Sequence, residues 1–261
     1  MEPTTVIIAL ALAALVGVSL GLLGGGGSIL TVPILSYVLG MEPRVAIASS
    51  LFIVGTTSAV SVLAHAHAGR VRWRTGALFG VAGMVGAFAG GLVGGLLPGG
   101  ILMVLFALMM IATAAAMIRG RRSNGAAEVE KPRALPTARI LLDGLLVGIA
   151  TGLVGAGGGF LVVPALNLLA GLPMAVAVGT SLLVIALKSF AGLAGYLFSV
   201  QLDWPIVLTF TAVAVAGSFV GTALAGRLPE RALRVGFGIF VLLMGAVVLA
   251  QEVPALVASF A

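Results

Sequence analysis

Lys188 is the residue whose type and place most invite chemistry, because it stands near the middle of an apolar stretch running from 175 to 199. In a hydrocarbon layer a charged side chain at that depth costs about 2.5–3.5 kcal/mol or more, so it must face the protein interior or a water-filled cavity. From mid-helix its stem is too short to snorkel to the interface. The acidic residues are Glu2, Glu42, Glu128, Glu130, Asp143, Asp203, Glu230 and Glu252, all in loops or near the ends of apolar stretches. Lys188 therefore has no intramembrane counter-ion within its own chain. A cation so placed points to an anionic substrate and away from cation transport; the alternative is a structural or neutral lysine.

Two glycine clusters supply the second chemical feature. Gly24 to Gly27, and Gly155 with Gly157 to Gly159, each close a long apolar stretch and precede a short one carrying Pro33 or Pro164. The short stretch holds about a dozen residues, fewer than the roughly 20 a spanning helix needs. The expected geometry is a helix that breaks inside the protein, with the next short helix starting near mid-membrane and its free N–H groups facing a cavity. Such an N-terminus carries roughly half a positive charge and up to four unpaired donors, which attract anions. On this reading Gly25, Gly26, Gly27, Gly157, Gly158 and Gly159 bring backbone amides to a substrate. The alternative is that these glycines serve only tight helix packing. A soluble phosphate loop is excluded, because the Gly-Lys-Ser/Thr ending is missing and no strand precedes the glycines.

Hydroxyls gather near both features: Ser28, Ser49, Ser50, Thr57, Thr180 and Ser181 offer neutral donors to a hydrated oxyanion. Each could equally bond a carbonyl of its own helix or join two helices. His65 and His67 flank a basic loop on different sides of a helix, where an interfacial position is expected and pH sensing is the alternative. With no further histidine and no cysteine they complete no metal site, and no cofactor is expected. An intramembrane enzyme would need a His-Glu-x-x-His pair, an aspartate pair or a serine with a base, and the chain has none of these. No catalytic residue is expected.

The elements that must position these groups are helices in lipid. The 261 residues are 61% hydrophobic and 8% charged, with a mean hydropathy of +1.25, beyond what a soluble core can hide. The net charge of +6 comes from basic residues in short loops, as topology determinants do, so nucleic acid is not an expected partner. Met1 to Thr5 carries no basic residue, which argues for a retained first helix over a cleaved signal. Apolar stretches run over 5–23, 28–40, 45–64, 75–97 and 100–118, and then over 140–156, 160–170, 175–199, 205–226 and 232–251. The predicted fold class is all-α: a polytopic membrane protein of two repeats, 1–118 and 140–261, joined by a basic cytoplasmic linker at 119–139.

Sliding the second half back by 131 positions aligns it with the first. Gly24, Gly26, Gly27 and Pro33 fall on Gly155, Gly157, Gly158 and Pro164; Ser50-Leu51 on Ser181-Leu182; Ser58 on Ser189; Trp73 on Trp204; and Gly86, Phe88, Gly90, Leu97 and Pro98 on Gly217, Phe219, Gly221, Leu228 and Pro229. Both tryptophans and the prolines in register are more than glycine-rich composition produces. Loop charge sets orientation. The loop with Arg70, Arg72 and Arg74 corresponds to one carrying only Asp203, so the two repeats should face opposite ways with both termini outside.

The run Gly-Leu-Leu-Gly-Gly-Gly-Gly-Ser-Ile-Leu-Thr-Val-Pro at 21–33, and its second copy Gly-Leu-Val-Gly-Ala-Gly-Gly-Gly-Phe-Leu-Val-Val-Pro at 152–164, resemble the sulfite exporter family TauE/SafE over nearly the whole chain. That resemblance implies a bacterial inner-membrane permease moving small sulfur-containing anions such as sulfite or organosulfonates outward, driven by an ion gradient. Proton and sodium are the candidate coupling ions. Family members differ in cargo, which leaves a permease for another small organic anion open. A passive anion channel shares every sequence feature above. No family motif covers Lys188, whose assignment rests on physics alone, and oligomeric state is not legible.

Overall fold

The computed structural model describes residues 3–119, 137–154, 159–169, 171–224 and 230–260, and these are helical with short turns and no strand among them. The helices are α1 (Pro3–Leu23), α2 (Gly26–Pro33), α3 (Pro43–His67), α4 (Trp73–Leu96), α5 (Gly99–Arg119), α6 (Thr137–Val154), α7 (Gly159–Pro164), α8 (Met174–Tyr196), α9 (Trp204–Leu224) and α10 (Glu230–Phe260). The last helix outruns the expected 232–251 at its C-terminal end. Most of the expected linker, residues 120–136, lies outside the described residues.

The break after α1 has a local cause. Gly24 takes φ +74°, the left-handed conformation that ends helices, and its amide bonds the Leu20 carbonyl at 2.9 Å. The Gly25 amide then turns to Leu23 at 2.9 Å in place of a partner four residues back, and Gly25 becomes the N-cap of α2. Pro33 and Pro164 end α2 and α7, and directly after each the backbone widens into a π-helical turn, Ile34–Val38 and Ala165–Leu169. Proline removes one ladder donor, which lets the turn loosen. Gly40 and Gly171, at corresponding positions with φ +66° and +67°, then reverse the chain toward α3 and α8.

Among the described residues α3, α4, α8 and α9 are long and apolar enough to cross a membrane. In their most apolar windows α3 is 72% and α8 67% buried, against 44% for α4 and for α9, so α3 and α8 form the centre. They run in opposite directions. Gly55 packs on Ser189 and Phe190, while Leu51 reaches Gly192 further along α8. Phe52 bridges the same surface, edge-on to Phe190 and Trp204.

The outer contacts come in two matching sets. Gly17 of α1 lies on the Ala214 backbone of α9 and Gly21 on Ser218, so these helices run the same way. Gly148 of α6 lies on Gly83 of α4 and Gly152 on Ala87, again in the same direction, and these are the same pairs displaced by 131 positions. The correspondence continues with Gly217 on Ala14 and Val18, matched by Gly86 on Leu145 and Ile149. At such places a Cβ would enter the neighbouring backbone, so these glycines let helices approach closely where side-chain interlocking is replaced by backbone contact. α4 also runs parallel to α8, with Gly80 on Leu187 and Gly91 on Gly192, and α10 packs on α5.

Candidate functional site

Lys188 is buried in α8, with 1% of its surface exposed. Its Nζ donates to the Thr151 hydroxyl of α6 at 3.0 Å. Thr151 in turn donates to the Val147 carbonyl at 2.7 Å, with Gly148 O at 3.2 Å, so its oxygen lone pair is what the lysine uses. Gly83 of α4 leaves room beside the lysine stem, where a Cβ would sit 3.9 Å from Lys188 Cβ and Cδ. Among the described residues the one ion pair is Arg44–Glu42, at 2.9 Å and exposed, so no described carboxylate answers Lys188.

This nitrogen borders the second helix break. Thr151 lies one turn before α6 ends at Val154, and Ile185, one turn before Lys188 on α8, reaches Gly159 at the start of α7. The last carbonyls of α6 carry the negative end of its dipole, which favours a cation there. In the first half the corresponding place belongs to Thr57, whose hydroxyl is buried without a hydrogen-bond partner. The two breaks are therefore chemically unequal: a lysine nitrogen beside one, a hydroxyl at the matching position of the other.

The breaks meet. A Cβ on Gly25 would run into the Gly159 backbone, and one on Gly159 into Gly25 and, at 2.8 Å, into Ile185 Cδ1. These two glycines are thus packed against each other in this conformation, so for them the packing reading holds and no anion fits between them. Gly26 and Gly27 form the first turn of α2. Gly157 and Gly158 lie outside the described residues.

The hydroxyls divide by use. Ser28 donates to the Gly25 carbonyl at 2.7 Å and Ser181 to Val178 at 2.7 Å, each bonding within its own segment. Ser181 also stands against Gly24, where a Cβ would lie 2.7 Å from its Oγ, so it seals the first break. Thr180 accepts from the Arg72 amide at 3.0 Å and so anchors the basic loop to α8. Ser50 is buried. Ser49 and Thr57, together with Ser58 and Ser189, are buried with hydroxyls that have no hydrogen-bond partner, and all four lie on the central pair α3 and α8. Unanswered buried hydroxyls cost about 1–3 kcal/mol each, and they are the groups free to meet a ligand.

Sequence reasoning missed Thr151 and Tyr196, and it named His65 without its partner. His65 is fully buried within the protein, and its Nε2 reaches the Gly21 carbonyl in the last turn of α1 at 3.1 Å. Tyr196, at the corresponding place on α8, donates to the Leu153 carbonyl in the last turn of α6 at 2.6 Å. Each caps the open carbonyl end of a broken helix. The coincidence of the two polar residues at a displacement of 131 was the available signal. His67 is exposed and bonds Leu63 in its own helix at 2.7 Å. An apolar cavity of about 220 Å³ lined by Ala9, Leu10, Pro205, Ile206 and Phe210 lies between the N-terminal halves of α1 and α9, away from these groups.

The family model described as sulfite exporter TauE/SafE matches residues 9–248. A probable membrane transporter protein of Xylella fastidiosa (strain 9a5c) is 35% identical over 99% of this chain and 100% of its own length. Probable membrane transporter proteins of Methanocaldococcus jannaschii, MJ0441, and of Bacillus subtilis, YunE, are 29% and 27% identical over 88% and 92% of this chain and 91% and 95% of theirs. No solved structure matches the chain. With helices fit to span a membrane and a family match over most of its length, the chain belongs to the sulfite exporter TauE/SafE family of membrane transporters.

Proposed function

We propose that the protein is a secondary transporter that exports small sulfur-containing anions, sulfite or organosulfonates, by alternating access. The observation that carries this reading is the Lys188 side-chain nitrogen, buried beside the second helix break and bonded to a neutral hydroxyl with no described carboxylate in reach. A small oxyanion supplies the missing charge. Of the hydroxyls expected at the site, Ser49 and Thr57 are left free for it, and the amides of Gly25 to Gly27 and Gly157 to Gly159 join once the two breaks part. Parting of the Gly25–Gly159 contact is then the step that opens the site.

The repeats are inverted in this reading. Its support is the contact register: α1 runs with α9 and α6 with α4, while the corresponding helices α3 and α8 cross in opposite directions. Loop charge places Arg70, Arg72 and Arg74, the 119–139 linker and Arg227 in the cytoplasm, both termini on the periplasmic side, and the protein in a bacterial inner membrane. The partners are a small anion, the bilayer and a coupling ion, proton or sodium.

The test is uptake of labelled sulfite into proteoliposomes by wild type and Lys188→Met, competed with sulfate, sulfoacetate and chloride. Saturable uptake that the variant loses supports an anion carrier and ranks its cargo. Linear, unsaturable flux would make it a channel, and uptake undiminished in Lys188→Met would remove Lys188 from the site.

A further inference from the structure

The histidine that caps α1 has a nitrogen the cap does not use. Gly21 lies in the last turn of α1, where the Gly25 amide has turned away to Leu23, so the Gly21 carbonyl lacks its helical donor. A carbonyl only accepts, so the facing Nε2 of His65 carries the hydrogen. In the neutral ring Nδ1 then holds a bare lone pair, and it is buried without a hydrogen-bond partner. Capping needs no second nitrogen, because Tyr196 does the same for α6 with a phenol. What histidine adds is a base that ordinarily titrates between about pH 5 and 8.

We propose that Nδ1 of His65 is a proton-binding site, and that the carrier moves this proton together with its anion, outward where the anion's own gradient exceeds the opposing proton gradient. The step is simple protonation: a proton from water forms the Nδ1–H bond and the ring gains one positive charge. Of the elements packed against α3, α1, α2 and α9 carry no ionisable side chain and α8 and α5 carry one basic residue each, and Arg70 in the loop after α3 is the charge that acts on the ring. Burial and Arg70 oppose the imidazolium, and the Gly21 carbonyl at the end of α1 favours it. With no carboxylate on any of these elements, the balancing charge is the transported anion. Proton and anion therefore favour each other's binding, reciprocally. His65 also touches α1 at its break, which gives protonation a mechanical route to the Gly25–Gly159 contact.

The proton site and the carrier reading on which its role rests are tested separately. In a His67→Gln background His65 is the remaining histidine, and nitrogen NMR of the ring-labelled protein in micelles reads its state directly. Expected is an Nε2–H tautomer that becomes doubly protonated as the pH is lowered, with its midpoint raised by added sulfite. A ring that stays neutral throughout, or that holds its hydrogen on Nδ1, overturns the proposal. In proteoliposomes, His65→Gln keeps a donor for Gly21 but cannot be protonated. It should exchange anion while losing the stimulation that an imposed pH gradient gives the wild type; retained stimulation overturns the coupling. His65→Tyr, which copies the other half, serves if the glutamine variant fails to fold. A wild type that moves no anion refutes the carrier reading, and the NMR titration then decides the proton site by itself.

Discussion

Replacing Lys188 with methionine should abolish anion transport and yet leave the protein slightly more stable. An ammonium at mid-membrane depth costs roughly 3 kcal/mol. The charge-assisted bond to Thr151 returns roughly 1.5–2 kcal/mol of that. Methionine has a similar unbranched length and fills the slot that Gly83 leaves open, while Thr151 keeps its own bond to Val147. The difference is a gain of about 1 kcal/mol, or roughly 2–4 °C in melting midpoint for a chain of this size. Thermal aggregation in detergent, followed by size-exclusion chromatography, measures the first quantity, and sulfite uptake into proteoliposomes measures the second. A loss of 2 kcal/mol or so would refute the reasoning, since it would make the lysine a structural fixture with a good local partner. Unchanged stability with full transport would equally refute it, by showing that the charge meets no substrate.

Gly25→Ala and Gly159→Ala should each prevent the two breaks from meeting and lower both folded yield and transport, whereas Gly236→Ala, with open space around its Cα, should be neutral or stabilising by up to about 1 kcal/mol in the same aggregation assay. Tyr196→Phe removes the donor to Leu153 and leaves a buried carbonyl open, so its melting midpoint should fall by an amount equivalent to about 1–3 kcal/mol; an unchanged midpoint would mean the cap is idle. The native chain has no cysteine, so Arg72→Cys and Leu202→Cys can be labelled singly with an impermeant thiol reagent. Labelling from opposite sides is expected, and labelling of both from one side would refute the inverted topology.

Much of the fold was legible because lipid imposes few solutions. Long apolar stretches with glycine and proline punctuation can only be helices in a bilayer, and the stretch boundaries fell within a few residues of the helices except at the C-terminal end of α10, where Pro254 sits inside the helix without ending it. The broken-helix geometry was also readable, since Gly24 and Pro33 act through local backbone rules. The hydroxyls were not readable one by one. Ser28 and Ser181 bond their own segments while Ser49 and Thr57 stay free, and that choice depends on which neighbouring helix face each one meets.

By itself the sequence determined that this is an all-helical membrane protein with two glycine-broken units, and that a lone lysine stands among apolar residues without a carboxylate. These are consequences of composition, spacing and local backbone chemistry. Tertiary structure decided the rest. It alone brought Gly25 onto Gly159, set Lys188 against Thr151 at the second break, and turned His65 and Tyr196 onto carbonyl ends 44 and 43 residues away along the chain. Contacts at that separation follow from how helices cross, and helix crossing is a property of the packed whole.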